Sequence, residues 1–116
     1  MNMKQDVANA GKTRTMWRKK LDPAKVAEYI ERHEEIWPEM IDLIKSSGTR
    51  NFSIFIDDNE AFAYLENDNL DSLAELSEKE KKIESDWQAS MRPLSADKVS
   101  EDQGLRTLSQ FVFFVE

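Results

Sequence analysis

Two periods divide the apolar positions of this chain. Residues 13–21, "TRTMWRKKL", are rich in strand formers and stop at Asp22-Pro23, a pair that starts helices: the aspartate caps free amides and proline is pre-set for the first helical position. Val26, Ile30, His33, Trp37, Met40, Ile41 and Ile44 then recur at three- and four-residue spacing, with Arg32, Glu35, Glu39 and Asp42 on the opposite side. This spacing predicts an amphipathic helix closed by Ser47-Gly48. Pro38 has no amide proton and collides with the carbonyl of Glu34, so a kink is expected just after His33. The segments 51–56 and 61–66, "NFSIFI" and "AFAYLE", flank Asp57-Asp58-Asn59-Glu60 and predict a hairpin. A second helix is expected from near Asp68-Asn69, with Leu70, Leu73, Leu76, Ile83, Trp87 and Met91 on one face. The C-terminal "LSQFVFFVE" is the most strand-like segment of the chain.

The resulting order is strand, helix, strand, strand, helix, strand, which is the ferredoxin-like βαββαβ unit of the α+β class. Both helices then cover one face of a four-stranded sheet. The other face carries large apolar residues and calls for a partner, which a dimer packed sheet on sheet would supply. Residues 92–107 contain Pro93 and Gly104 and little periodicity, a long connection for so small a domain.

Length and charge narrow the picture. With 116 residues the chain fits one small domain, read as residues 13–116 behind a loose polar tail, residues 1–12. A formal charge of −7 argues against a nucleic-acid binder, which needs a basic face to neutralise phosphates. The longest apolar run is too short to cross a bilayer, so no membrane partner is expected. No cysteine occurs, which excludes disulfides and thiolate zinc sites and permits a cytoplasmic location.

Candidate chemistry centres on His33, the one histidine of the chain. On an apolar stripe it reads either as a core residue or as the floor of a site. Tyr29 and Trp37 bracket it at four-residue spacing, so all three can line one wall. Its ordinary pKa near 6.5 suits it to proton transfer at neutral pH. Trp87 lies on the inner face of the second helix. Aromatic faces beside a hydroxyl and an imidazole suit a polyhydroxylated ring, although each of these aromatics also reads as ordinary packing. One histidine with scattered carboxylates is a weak metal signal, and no glycine-rich phosphate loop is present.

"EYIERHEEIWPEM" (28–40), "SGTRNFSIFID" (47–57), "AFAYLE" (61–66) and a tryptophan late in the second helix resemble, in order and spacing, the L-rhamnose mutarotase family. The resemblance spans most of residues 13–116, and "EYxxRHxxIWPE" is its most specific part. It implies a small dimer of ferredoxin-like subunits, an α/β barrel-like assembly that interconverts sugar anomers without metal or cofactor. It implies that His33 is the catalytic proton donor and Tyr29 a substrate contact. Two family positions differ here. The tyrosine of an "NY" pair is matched by Phe52 after Asn51, and a tryptophan pair is matched by Asp86 and Trp87. Phe52 keeps an aromatic face but loses a hydroxyl, and Asp86 puts a charged acceptor where a stacking surface stood.

The expectation is therefore an aldose mutarotase acting on L-rhamnose or a similar deoxy sugar, with Tyr29, Phe52, Asp86 and Trp87 contacting the monosaccharide. Ring opening delivers a proton to the ring oxygen, from His33, and removes one from the anomeric hydroxyl, to water or to a second group for which Tyr29 or Asp86 is the candidate. The alternatives are the same reaction on another 6-deoxy sugar such as L-fucose, a non-catalytic sugar-binding protein of the same fold, and, on fold analogy alone, a cofactor-free oxygenase.

Overall fold

The computed structural model describes residues 13–67, 76–108 and 110–115. The expected N-terminal tail and the start of the second helix at 68–75 lie outside these residues. Strand β1 (Thr13–Lys20) is followed by a single 3-10 turn (Pro23–Lys25), helix α1 (Val26–Glu34), helix α2 (Pro38–Ser46), strands β2 (Thr49–Asp57) and β3 (Glu60–Asn67), helix α3 (Glu78–Met91), a second 3-10 turn (Arg92–Leu94) and the short strand β4 (Arg106–Leu108). All neighbouring strands are antiparallel, in the order β2-β3-β1-β4. This is the ferredoxin-like arrangement, with the helices packed on one sheet face.

Alternation along the strands sorts the two faces. In β1, Trp17 and Lys19 point inward with Leu21 just beyond, while Arg14, Met16 and Arg18 point outward; across the ladder Trp17 pairs with Ala63 and Lys19 with Ala61. The alanines make room above the sheet for the large side chains of β1. Leu21, Tyr29, Met40, Leu43, Trp87, Met91 and Leu94 close the core over them.

The first helical stretch is a break rather than a kink. Asp22 Oδ1 accepts the Ala24 amide at 3.0 Å to start the 3-10 turn, as the sequence suggests. α1 then stops at Glu34, and Trp37 adopts an extended conformation before Pro38 opens α2 at its first position, where a missing amide is harmless. The break resets the helical phase. Ile30 and Ile41, expected inside, are exposed, and Tyr29 and Leu43 take the inward positions.

Two further expectations are corrected. Helix α3 begins at Glu78, where Ser77 and Glu80 form a capping box, so Leu76 precedes the helix, while Ile83, Trp87 and Met91 do face the core. The C-terminal strand is short: β4 ends at Leu108, opposite Met16. Residues 110–115 leave the ladder, and the Arg14 guanidinium lies 4.0 Å from the Phe114 ring centroid. The unbroken apolar run 111–115 lacks the polar alternation that an edge strand uses to face water.

The long connection after α3 is a folded clamp. Asp22 and Ala96 amides bond to Leu94 and Lys20 carbonyls, at 3.0 Å in each case, tying the end of β1. Gln103 and Gly104 both take left-handed backbone conformations (φ 57° and 74°), and a Cβ on Gly104 would lie 3.1 Å from the Asp97 Cβ. Gly104→Ala should therefore destabilise the protein by about 1 kcal/mol or more, measured as a lowered midpoint in urea at unchanged slope. An unchanged midpoint would show that this turn relaxes without strain.

Candidate active site

The cavity between the helices and the inner sheet face has a volume of about 550 Å³. Tyr29 and His33 of α1, Trp87 of α3, Phe52 of β2 and Trp17 and Lys19 of β1 line it, together with aliphatic side chains of α2. The Tyr29 and His33 ring centroids are 4.4 Å apart, and the Trp87 ring stands edge-on to His33 at 5.5 Å. Trp37, released by the helix break, packs edge-on behind Trp87 at 5.1 Å and stays out of the lining. An Arg32 side-chain nitrogen donates to the Ser90 carbonyl, fastening α1 to α3 so that His33 and Trp87 share one wall.

The histidine is oriented by its own helix. Nδ1 lies 2.9 Å from the Tyr29 carbonyl oxygen. A carbonyl only accepts, so Nδ1 carries the proton and Nε2 holds the free lone pair of the neutral ring. Burial holds the imidazole below its ordinary pKa of 6.5; the bond to Tyr29 opposes this, and the nearby charge of Lys19 adds to it. Burial also pushes the Tyr29 hydroxyl up to about 12, so near neutrality it is a hydrogen-bond partner and not a base.

The expected site residues separate into two groups. Tyr29, His33, Phe52 and Trp87 come together on the cavity wall. Phe52 does so through a bulge between Arg50 and Ser53, with Asn51 in a left-handed conformation (φ 51°). Asp86 does not join them. It is exposed, is absent from the lining, and accepts from Lys82 at 2.9 Å on the surface of α3, one residue round from Trp87. The side of α3 that lines the cavity carries Glu84, Trp87 and Gln88, and at about 100° per residue Asp86 falls on the opposite side.

Lys19 also lines the cavity, although it belongs to no motif of the sequence. It is 6% exposed, and its ammonium donates to Gln103 Oε1 at 2.7 Å. Its signal was its place: in β1 it shares the inward alternation of Trp17 and Leu21. Among the described residues no three His, Asp or Glu side chains converge as a metal site.

The L-rhamnose mutarotase family model matches residues 14–113. The chain belongs to this family. An L-rhamnose mutarotase from Oceanobacillus iheyensis is 34% identical over 96 residues, covering 81% of this chain and 89% of that protein. One from Acidiphilium cryptum is 49% identical over 51 residues, a match spanning 42% of this chain and about half (49%) of that relative's length. The crystal structure of an L-rhamnose mutarotase from Formosa agariphila superposes with a TM-score of 0.68 at 31% identity, covering 90% of this chain and 99% of that one. Its family membership and the topology agree.

The lowered His33 pKa links the cavity to stability. Between the folded pKa and the ordinary 6.5 the unfolded chain binds a proton that the folded chain does not, so stability falls as pH drops through that window. An NMR titration of the His33 ring should give a midpoint below 6.5, and His33→Gln should flatten the fall in stability. A midpoint at or above the ordinary value would mean that the cavity is more open to water than its walls indicate.

Proposed function

We propose that this protein is an aldose mutarotase that interconverts the α and β anomers of L-rhamnose or a closely similar deoxy sugar. The observation that carries the reading is the Nε2 lone pair of His33 in a cavity walled by Tyr29 and Trp87. Aromatic faces take the C–H faces of a pyranose, and the imidazole exchanges a proton with its oxygens. Ring opening to the aldehyde, rotation about C1–C2 and closure on the other face convert one anomer to the other. Membership of the family supports the same assignment. Family members named as L-rhamnose mutarotases point to rhamnose. Phe52, which neither donates nor accepts, favours a change in sugar preference, with L-fucose as the alternative 6-deoxy substrate.

Saturation-transfer NMR over a panel of deoxy sugars tests the reading, because it reports anomer exchange and preference together. The wild type should exchange at least one sugar well above the spontaneous rate. His33→Asn should lower the catalysed rate about a hundred-fold or more while the fold survives. Phe52→Tyr should change the ranking of sugars, by about 1 kcal/mol for one added hydrogen bond, whereas Asp86→Asn should leave it alone. Exchange at the wild-type rate in His33→Asn would make the histidine a packing residue and the protein a sugar-binding module.

We further place the protein in the cytoplasm as a homodimer. The outer sheet face supports the dimer: Met16, Phe55 and Leu108 stand exposed there, Phe55 by 67%, beside the apolar segment 111–115. A second copy of the same face would cover them. Sedimentation should show a dimer at micromolar concentration, weakened by Phe55→Asp; a monomer under those conditions refutes the assembly.

A further inference from the structure

Resting on the mutarotase reading, we propose that Lys19 is the second proton-transfer residue of the cavity. Its ammonium delivers a proton to the sugar ring oxygen, while neutral His33 takes the proton of the anomeric hydroxyl. Neither residue that the sequence offers as the second group, Tyr29 or Asp86, suits the transfer, and Lys19 here takes the ring-oxygen step that the family resemblance gives to His33. Tyr29 holds its proton too tightly to exchange it near neutrality, and Asp86 lies outside the lining. Lys19 lines the same cavity as His33, and its charge is felt by that imidazole.

The surroundings of Lys19 suit a group that gives up and regains a proton. A buried lysine is usually paired with a carboxylate, which pins its proton in place. Here, among the described residues, the partner is a neutral amide. Gln103 Oε1 accepts from the Lys19 amine at 2.7 Å. The amide cannot turn, because its Nε2 donates to the Gln88 carbonyl at 3.1 Å and to Gln88 Oε1 at 3.2 Å. The Gln103 carbonyl in turn accepts from Ser95 Oγ at 2.6 Å. An amide oxygen accepts from an ammonium or from an amine, so Lys19 keeps this partner in both states, and among the described residues its remaining hydrogens meet no other acceptor.

The charged and titratable groups around it are of both signs. His33 and Tyr29 face it from α1, Glu84 lines the cavity from α3, and Arg92 follows α3. Glu60 of β3, with Asp97 and Arg106, lines the cleft on its other side. Burial, with the Arg92 charge adding to it, lowers the Lys19 ammonium to about 8. At neutral pH the two groups therefore meet the sugar in complementary states, a charged amine and a neutral imidazole.

The step balances without any further reactant. The anomeric O1–H proton passes to His33 Nε2, the C1–O5 bond breaks with its electron pair on O5, and O5 takes a proton from Lys19 Nζ as C1=O1 forms. After rotation about C1–C2, O5 attacks the other carbonyl face. The Lys19 amine recovers its proton from O5–H, and the imidazolium returns its own to O1.

Anomer exchange measured against pH for the wild type, Lys19→Met and Lys19→Arg tests the assignment. The wild-type kcat/KM should be bell-shaped, with an acid limb below 6.5 from His33 and an alkaline limb near 8 from Lys19. Lys19→Met should lose about a hundred-fold or more in kcat with little change in KM, and its residual activity should lack the alkaline limb. Lys19→Arg keeps the charge and the bond to Gln103 but never releases its proton in the working pH range, so it should remain as slow as the methionine variant. A lysine that only packs or attracts would be rescued by arginine. Wild-type kcat in Lys19→Arg, or an alkaline limb near pH 8 persisting in Lys19→Met, overturns the proposal and leaves the mutarotase reading standing. Should either variant fail to fold by circular dichroism, NMR titration of the wild-type Lys19 side chain decides: a midpoint near 8 supports the role and one at the ordinary 10.5 refutes it. A wild type that exchanges no sugar in the panel overturns the mutarotase reading, and the role of Lys19 with it.

Discussion

The missing amide of Pro38 is the constraint on which the site depends. A continuous helix from Val26 to Ser46 would carry one straight apolar stripe and bury His33 as one more residue on it. Proline instead stops α1 at Glu34 and begins α2 after a three-residue gap. The gap frees Trp37 to back Trp87, lets α2 turn Met40 and Leu43 onto the core, and leaves His33 in the last turn of α1 with its ring beside an open volume. The Arg32–Ser90 bond then holds α3 against that last turn. One residue without an N–H thus separates the functional wall from the packing wall.

The inner sheet face supplies the other half of the site by an opposite device. Ala61 and Ala63 are small where their β1 partners, Lys19 and Trp17, are large. The sheet therefore carries long side chains beneath the helices without forcing the layers apart, and the space that remains is the cavity. A cation at that depth has a high desolvation cost. The fold offsets part of it with an oriented amide dipole, brought in by a loop whose two consecutive left-handed residues aim Gln103 inward.

Much of this was legible in the sequence, and what was not has physical reasons. Strand and helix order followed from periodicity, and the Asp22-Pro23 start from cap chemistry. Family motifs brought Tyr29, His33, Phe52 and Trp87 to one place. The phase of α2 was not readable, because a break resets the rotation by an amount that only tertiary packing fixes, and Ile41 was misassigned for that reason; Ile30, ahead of the break, is exposed because Tyr29 takes the core-facing side of α1. The extent of β4 was misjudged because "FVFFV" has strand propensity without a ladder to fill. Asp86 matches a family position yet lies off the cavity, because the lining side of α3 carries Glu84, Trp87 and Gln88 and Asp86 falls opposite them. Lys19 was overlooked because a lysine in a strand normally marks the solvent face, and here the alternation set by Trp17 and Leu21 was the better guide.

Sugar anomers differ little in energy, so a mutarotase must run as readily backward as forward. The group that acts as acid in ring opening acts as base in closure, so each must both hold and release its proton. Two nitrogen groups whose burial lowers both pKa values suit this exchange near neutrality. A carboxylate salt-bridged to the lysine would break the symmetry by fixing the ammonium. A second histidine donor bond at Nε2 would do the same to the imidazole. The Tyr29 carbonyl on Nδ1 and the Gln103 amide on Lys19 share one property: both accept a hydrogen bond in either protonation state of their partner. Such neutral acceptors orient the two groups and favour the charged form less than a carboxylate would, which suits a reversible proton relay.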